Sequence, residues 1–472
     1  MASGEIWRWS AAQTATAVAA GEVSAEQVVV ACLARMAQVN PALNAVVVDL
    51  SDEALAAART ADAAQAEGQP LGPLHGVPVT IKINVDVEGH ANSNGLVALK
   101  DNVAASDSAP AANLRAAGAI VVGLTNTPEF SLRVCTSNAL HGLTRNPWDP
   151  AITCGGSSGG AAASMAAGIG CLAHGNDIGG SLRWPAACCG VATIKPTLGR
   201  TAAFNPSAVG ERPPMAQLMS VQGPIAREVR DVRMGLAALS RRDPRDPWWV
   251  PAPLMGPSVE RPIRVGLARL PDDLAADPEV IGLVRRAADH LADAGYAVSE
   301  VEVPDLNGCW RLWCDLLFTE LTTLQLESMR QLGSPQYMGA IEGGLRMANV
   351  LDLAGYMRAM ASRSARLRDW MAMLETYPVI LTPVSVRATP AAEADLQGDA
   401  ALQGLLSNDL RFVSALNVLG LPVATVPAGL TAGGHPVGVQ LIASRYREDL
   451  ALDAAAAIEA RVGVLAHELW GR

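Results

Sequence analysis

CGGSSGG at 154–160 and GNDIGGSLRWPAACCG at 175–190 set serines against paired glycines in a chain otherwise rich in alanine, and their reading decides the fold. Glycine is kept where a chain turns sharply, takes positive φ or lets another group approach the backbone closely, so both stretches point to a site. A phosphate-cradling P-loop is excluded, because no lysine follows Gly160. Residues 156–160 do fit G-x-S-x-G, the nucleophile elbow of α/β-hydrolases, which would make Ser158 the nucleophile and require an acid and a histidine downstream. A flexible glycine–serine turn is the bland alternative.

The 472 residues, 50% hydrophobic and 17% charged, describe a globular chain able to bury a substantial core, and a net charge of −10 leaves no basic footprint for nucleic acid. The amino end, MASGEIWRWSAAQ, lacks a basic stretch followed by an apolar one, so a cytoplasmic protein is expected. The longest low-polarity run, 161–175, is too short to cross a bilayer and reads as a buried helix; no membrane partner is expected. Eight scattered cysteines read as reduced, buried thiols, and seven histidines form no H-x-x-x-H pair, so no metal is expected.

Ser10-Ala-Ala-Gln13 and Ser24-Ala-Glu-Gln27 are capping boxes, in which serine and glutamine satisfy each other's orphan backbone donors. A helix is expected from each, the first stopping at Gly21 and the second at Asn40-Pro41, with another over 52–67. VPVTIKINVDV at 77–87 is a β-branched run that predicts a buried strand with Lys82 in its middle, and AIVVGLTN at 119–126 predicts a second strand after a helix-like stretch. Strand patterns recur as RVGLA, VSEVEV, PVILTPV, VATVPA and VGVQLIA, and the alternation predicts an α/β architecture. The proline-rich stretch 243–262 is the best candidate boundary, yet strands on both sides can share one sheet, and one domain is preferred.

Taken in order, PLHGVPVTIK, TNTPEF, TRNPWD, CGGSSGG, a run of small residues, GNDIGGSLRWPA and CG resemble the amidase signature family. KPTLGR, QGPIAREV, ILTP, NVLGLPVATVPAG and PVGVQLI extend the resemblance to about residue 455. It implies a single α/β domain, 1–472, with a central mixed, mostly parallel sheet flanked by helices, a catalytic core at 75–200 and a variable substrate-facing region at 202–350. It further implies Ser181 as nucleophile, Ser157 as a bridging serine on a cis peptide, and Lys82 as base, with Ser158 shaping the loop. The elbow reading then falls, since no histidine is required. Backbone N–H groups of Ile178, Gly179, Gly180 and Ser181 would form the oxyanion hole, and Asp177 and Arg183 would pair to brace the loop.

The chemistry can be stated on its own terms. A serine hydroxyl becomes an effective nucleophile when a positioned base takes its proton, and a lysine can serve once burial removes its charge. Bringing a lysine from about 10.4 to about 7 is a preference of roughly 4 kcal/mol for the neutral form. Acyl transfer of this kind needs no cofactor. Three positions depart from the family's usual pattern: Ile83 follows the lysine where aspartate is common, Cys154 precedes the loop where proline is common, and Asn176 precedes Asp177 where threonine is frequent. None is expected to touch the triad, and Cys154 reads as a buried spectator.

Residues 202–219 read as a long mobile loop carrying Phe204, Met215, Leu218 and Met219 over the site. Trp310, Trp313 and Leu317 have a helical spacing that serves either a core or a substrate pocket, the core being favoured. Their apolar character points to a small, largely neutral amide substrate with an aryl or alkyl part, with ester and carbamate (urethane) cleavage chemically adjacent. The alternatives are a glutamine-hydrolysing amidotransferase subunit with a partner protein and, disfavoured by the complete triad, a noncatalytic binding protein. A homodimer is compatible with the enzyme readings.

Overall fold

Both capping boxes form in the computed structural model, which describes residues 3–208 and 210–471. Ser10 Oγ accepts from the Gln13 N–H at 3.1 Å while Gln13 Oε1 accepts from the Ser10 N–H at 2.9 Å, and Ser24 and Gln27 repeat the exchange at 3.0 Å. The helices run Ala11–Ala19 and Ala25–Leu43. The second continues past Asn40-Pro41 because Asn40 closes it from within: its Oδ1 accepts from the Ala45 and Val46 N–H groups, and Asn44 ends the helix at φ 53°. The alanine-rich helix is Ser51–Ala66.

The strands among the described residues are β1 (Val46–Asp49), β2 (Pro78–Lys82), β3 (Ile120–Thr125), β4 (Ser137–Asn138), β5 (Gly142–Leu143), β6 (Leu172–Asp177), β7 (Ala192–Lys195), β8 (Val221–Ala226), β9 (Arg264–Ala268), β10 (Ala297–Val301), β11 (Val379–Pro383), β12 (Val423–Leu430) and β13 (Pro436–Ala443). β4 and β5 form a small hairpin; the others form one sheet in the order β1-β3-β2-β6-β8-β7-β12-β13-β11-β9-β10. The sheet is mixed, as expected, but not mostly parallel. β2 runs parallel to β3 and β6, and β9 parallel to β10 and β11, whereas the other six neighbouring pairs are antiparallel. Short links explain part of this: residues 431–435 between β12 and β13 are too few for a crossover. Strands from both sides of 243–262 meet where β7 pairs with β12, so the proline-rich stretch divides no sheet.

Two expected elements are redrawn in ways that make the site. The strand expected over 77–87 stops at Lys82, because the Val85 N–H turns back to the Lys82 carbonyl at 3.2 Å; the lysine is the strand's last residue rather than its middle. The run 161–175 is not one helix: Gly159–Ala167 is helical, Gly168 ends it at φ 84°, and β6 begins at Leu172. The carboxyl ends of the parallel strands β2 and β6 thereby bring Lys82 beside Asn176 and Asp177, the edge at which open α/β sheets carry their sites.

Both faces of the sheet are covered. Val379 and Leu381 of β11 join the core formed with the Pro278–Asp293 and Glu448–Val462 helices, while Ile380 joins the core formed with Leu306–Glu320 and Arg411–Leu419, as strand alternation requires. No helix among the described residues is long and apolar enough to cross a membrane. The amino-terminal helix is tied to this body by Asp231, whose carboxylate accepts from the Ala11 and Ala12 N–H groups at 2.8 and 3.0 Å. Asp231→Ala leaves those donors unmet and is expected to lower the urea midpoint by the equivalent of about 1–3 kcal/mol, with kcat unchanged; an unmoved midpoint would refute the tie.

Candidate active site

The Lys82 side chain is fully buried, with Nζ 2.8 Å from Ser157 Oγ, 3.1 Å from Ser158 Oγ and 2.8 Å from Asn176 Oδ1. Ser157 and Ser158 enter from the turn before the Gly159–Ala167 helix, where the Gly156–Ser157 peptide is cis. Close backbone approach, not flexibility, is what the glycine pair provides there: a Cβ on Gly156 would meet the Arg133 carbonyl oxygen at 2.7 Å. The Ser158 N–H donates to the Ser181 carbonyl at 3.2 Å, fastening the two serine loops together. Ser181 is 9% exposed, against 1% for Ser157 and 0% for Ser158, and it lines a cavity. Ser158 donates its own proton to the Asn176 carbonyl at 3.3 Å, so the elbow reading finds no accessible nucleophile in it.

Burial pushes the Lys82 amine well below the ordinary lysine range, against the opposing pull of the Asp177 charge. Burial alone does not single Lys82 out. Lys195, at the end of β7, is also buried and lowered to about 7, by burial and by Arg183, yet it donates to the adjacent Pro196 carbonyl. Contact with two serines is what distinguishes Lys82.

Asp177 and Arg183 pair as expected, and their surroundings show why. The Arg183 guanidinium meets both Asp177 oxygens, at 3.0 and 3.1 Å, with both side chains fully buried. Burial raises the Asp177 pKa, but the charge and hydrogen bonds of Arg183, with help from Lys195 and Asn417, outweigh it and hold the carboxyl below the usual carboxylate range. The carboxylate also accepts from the Gly180 and Leu182 N–H groups at 2.7 and 3.1 Å, so it folds the loop that carries Ser181 around itself. This commits the Gly180 N–H, which departs from the expected oxyanion set and leaves Ile178, Gly179 and Ser181 as its candidates. A Cβ on Gly180, at φ 115°, would run into Val413 Cγ1, which explains the glycine.

Sequence reasoning missed three participants. Asn176, taken as a departure clear of the triad, presents its Oδ1 directly to Lys82. Asn417 donates to the Asp177 carboxylate at 2.8 Å and accepts from Arg183 at 2.6 Å, and Gln440 accepts from Arg183 at 3.1 Å. A lone amide inside each of the apolar runs NVLGLPVATV and PVGVQLI was the available signal. Ile83 packs into the core instead, and the buried Cys154 thiol is pushed up to about 12, the condition of a spectator. Among the described residues no group of three or more His, Cys, Asp or Glu could hold a metal.

The cavity beside Ser181 is lined by Trp313, Leu317, Phe318, Leu321, Ile341, Gly344, Leu402 and Leu406. Trp313 Nε1 donates to the Ile178 carbonyl at 2.8 Å, laying its ring against Gly179. Arg133 and Asp395, also at the cavity, pair at 2.7 Å and are almost wholly buried. Other expected substrate contacts lie elsewhere. Trp310 is in the core with the Arg411 guanidinium 5.6 Å from its ring, and Met215, Met219 and the half-buried Leu218 pack into the same core. Phe204 sits against Arg245, 4.9 Å away. Part of 202–219 is a helix, Pro214–Met219, whose Met215 and Ala216 N–H groups donate to the buried Glu320 carboxylate at 2.6 and 3.1 Å.

The fold is that of the amide-hydrolysing amidase signature enzymes. The chain belongs to the Amidase family, whose model matches residues 27–452. It is 59% identical over 467 residues to an indoleacetamide hydrolase of Bradyrhizobium diazoefficiens, covering 99% of this chain and 89% of that protein. It is 31% identical over 466 residues to a glutamyl-tRNA(Gln) amidotransferase subunit of Moorella thermoacetica, covering 93% of each. Among solved structures, a bacterial aryl acylamidase of the amidase signature family superposes with a TM-score of 0.82 at 25% identity, over 98% of both chains.

The contact between Gly180 and Val413 yields a test. Gly180→Ala is expected to displace the neighbouring Gly179 and Ser181 N–H groups left as oxyanion-hole candidates, lowering kcat by at least about a hundredfold, the scale of one lost donor, and to lower Tm, measured on the same preparation. Near-normal kcat would show that the loop carrying Ser181 has room the structure does not give it.

Proposed function

We propose that this chain hydrolyses a small, neutral arylacetamide, with indoleacetamide the first candidate, through a serine acyl-enzyme. The 2.8 Å contact between Lys82 Nζ and Ser157 Oγ, in a buried cluster whose Ser181 faces the cavity, carries the reading. A neutral amine has two N–H groups and one lone pair. Asn176 Oδ1 can only accept, and Ser158 has given its proton to the Asn176 carbonyl, so these two take the N–H groups and the lone pair is left for the Ser157 hydroxyl.

Ser157 then passes its proton to Lys82 as it takes one from Ser181, whose Oγ attacks the amide carbonyl carbon. The oxyanion is met by N–H groups of Ile178, Gly179 and Ser181. The proton returns along the same path to the leaving nitrogen, the C–N bond breaks, and ammonia departs from a primary amide. Water, deprotonated by the same relay, attacks the ester and releases the carboxylic acid with Ser181 restored.

Substrate class follows from the cavity. Its aromatic and leucine walls suit an aryl group, and the Arg133–Asp395 pair neutralises itself, offering no free charge to an amino-acid substrate. Together with the 59% identity to an indoleacetamide hydrolase, this favours an arylacetamide over glutamine. Esters and carbamates share the carbonyl and the tetrahedral intermediate, and we propose them as secondary substrates.

Ser181→Ala is expected to abolish turnover with an unchanged circular dichroism spectrum, and a fluorophosphonate should attach to Ser181; attachment at Ser158 would restore the elbow. Phe318→Ala should lower kcat/KM for arylacetamides relative to alkyl amides by about 1–3 kcal/mol, and a uniform change across the panel would place the aryl pocket elsewhere. Lys82 has two tasks, and only the second depends on the leaving group. A nitrophenolate departs without a proton, so Lys82→Ala should depress amide kcat/KM at least about tenfold more than nitrophenyl-ester kcat/KM, about 1.4 kcal/mol, for one acyl group. Equal losses would confine Lys82 to activating the nucleophile.

A further inference from the structure

We infer that Asn84 and Asn176 form a positioning pair for Lys82, in which Asn84 fixes the Asn176 amide so that its oxygen, and not its NH2, faces the lysine amine. This rests on the reading of Lys82 as the base. Asn176 Nδ2 donates to Asn84 Oδ1 at 2.9 Å, and Asn84 Nδ2 donates back to Asn176 Oδ1 at 3.2 Å. Asn84 is held in turn by Ser131, whose Oγ accepts from Asn84 Nδ2 at 2.9 Å and donates to Asn94 Oδ1 at 2.8 Å. Thr127 Oγ1, 2.8 Å away, completes the Ser131 partners. Ser131 follows Phe130 in the left-handed region, φ 57° and 53°, a conformation rare for such residues that aims this hydroxyl inward.

An unrestrained amide can turn over and present either end. Turned over, Asn176 would point N–H groups at Lys82 Nζ, the lone pair would rotate toward them, and Ser157 would lose its acceptor. The correct orientation claims one N–H of Lys82 and, with Ser158, leaves the lone pair on Ser157. The acceptor is also uncharged. The charge that acts on Lys82 is that of Asp177, occupied by Arg183, and the His174 ring, on which Lys82 itself acts, is held down at about 4 by burial and so is neutral. A carboxylate in place of the Asn176 amide would favour the ammonium form and remove the base.

The test is a pair of variants and their combination, assayed as full chains on indoleacetamide across pH, with fluorophosphonate labelling of Ser181 as a readout independent of substrate. Asn84→Ala should lower kcat about tenfold with KM within about twofold, and slow labelling in parallel. Asn84→Asp, which keeps the acceptor for Asn176 Nδ2, should recover most of that rate above the acid limb. Asn176→Asp, which conserves volume, should move the acid limb of both profiles upward by at least about one pH unit, because an added negative charge favours protonated Lys82. A carboxylate offers oxygen in either orientation, so Asn84→Ala should cost nothing further in the N176D background. Additive losses, or an acid limb unmoved in N176D, would overturn the pair. If Ser181→Ala stays active, the serine mechanism itself fails; if Ser181→Ala and Lys82→Ala are inactive while the asparagine variants match wild type, only the positioning role fails.

Discussion

An amine whose charge is opposed by burial, at the end of a buried strand, sets the terms for everything packed around it. Lys82 sits where water cannot solvate an ammonium, and its partners there are two hydroxyls and an amide oxygen, none of them charged. The unfolded chain binds that proton up to about 10.4. Because the folded value is depressed, the unfolded state holds more protons between the two values, so this lysine lowers stability at neutral pH and the loss is recovered as pH rises toward 10.4. An apolar side chain would fill the same space without that cost, and the role proposed for Lys82 as base is what offsets it.

The buried Asp177 answers the same constraint from the other side. A bare carboxylate this close would hold Lys82 in the ammonium form; here Arg183, Asn417 and two backbone N–H groups surround it. Its negative charge is matched locally and put to use bending the chain from β6 into the Arg183–Cys189 helix, the bend that carries Ser181. The sheet makes this arrangement possible. Its parallel trio, β3, β2 and β6, aligns carboxyl ends, while the antiparallel remainder brings Gln440 of β13 to Arg183 from more than two hundred and fifty residues away in the chain.

Short contiguous motifs marked the neighbourhood: the GGSSGG stretch and the lysine after PVTI supply the Ser157 and Lys82 side chains that lie 2.8 Å apart, and the GGS stretch supplies Ser181 on the cavity beside them. Capping boxes marked two helix starts because serine and glutamine three residues apart interact locally. Legibility failed where the deciding contact is distant. Nothing near Lys82 shows that the chain turns back at Val85, and an alanine run hides the stop at Gly168. Strand direction depends on which strands become neighbours, so the mostly parallel sheet that the resemblance implied gives way to the antiparallel pairings. Asn176 looked peripheral because its importance lies in a contact with a residue on another strand.

The cavity wall was the least legible part, for a geometric reason. Trp310, Trp313 and Leu317 share a helical stripe, but the cavity begins only at Trp313; a turn earlier, the same stripe meets Arg411 instead. Leu321 and Leu406 reach the cavity from π-helical turns, Leu321–Gln325 and Leu405–Asp409, where the ordinary spacing rule no longer applies. What these distant pieces share is the absence of uncompensated charge. Under the proposed function that property and a neutral Lys82 are one requirement, because a substrate carboxylate in the cavity would raise the proton affinity of the proposed base. An apolar, self-neutralised cavity therefore suits the neutral amide proposed as substrate and, by the same physics, would protect the proposed base.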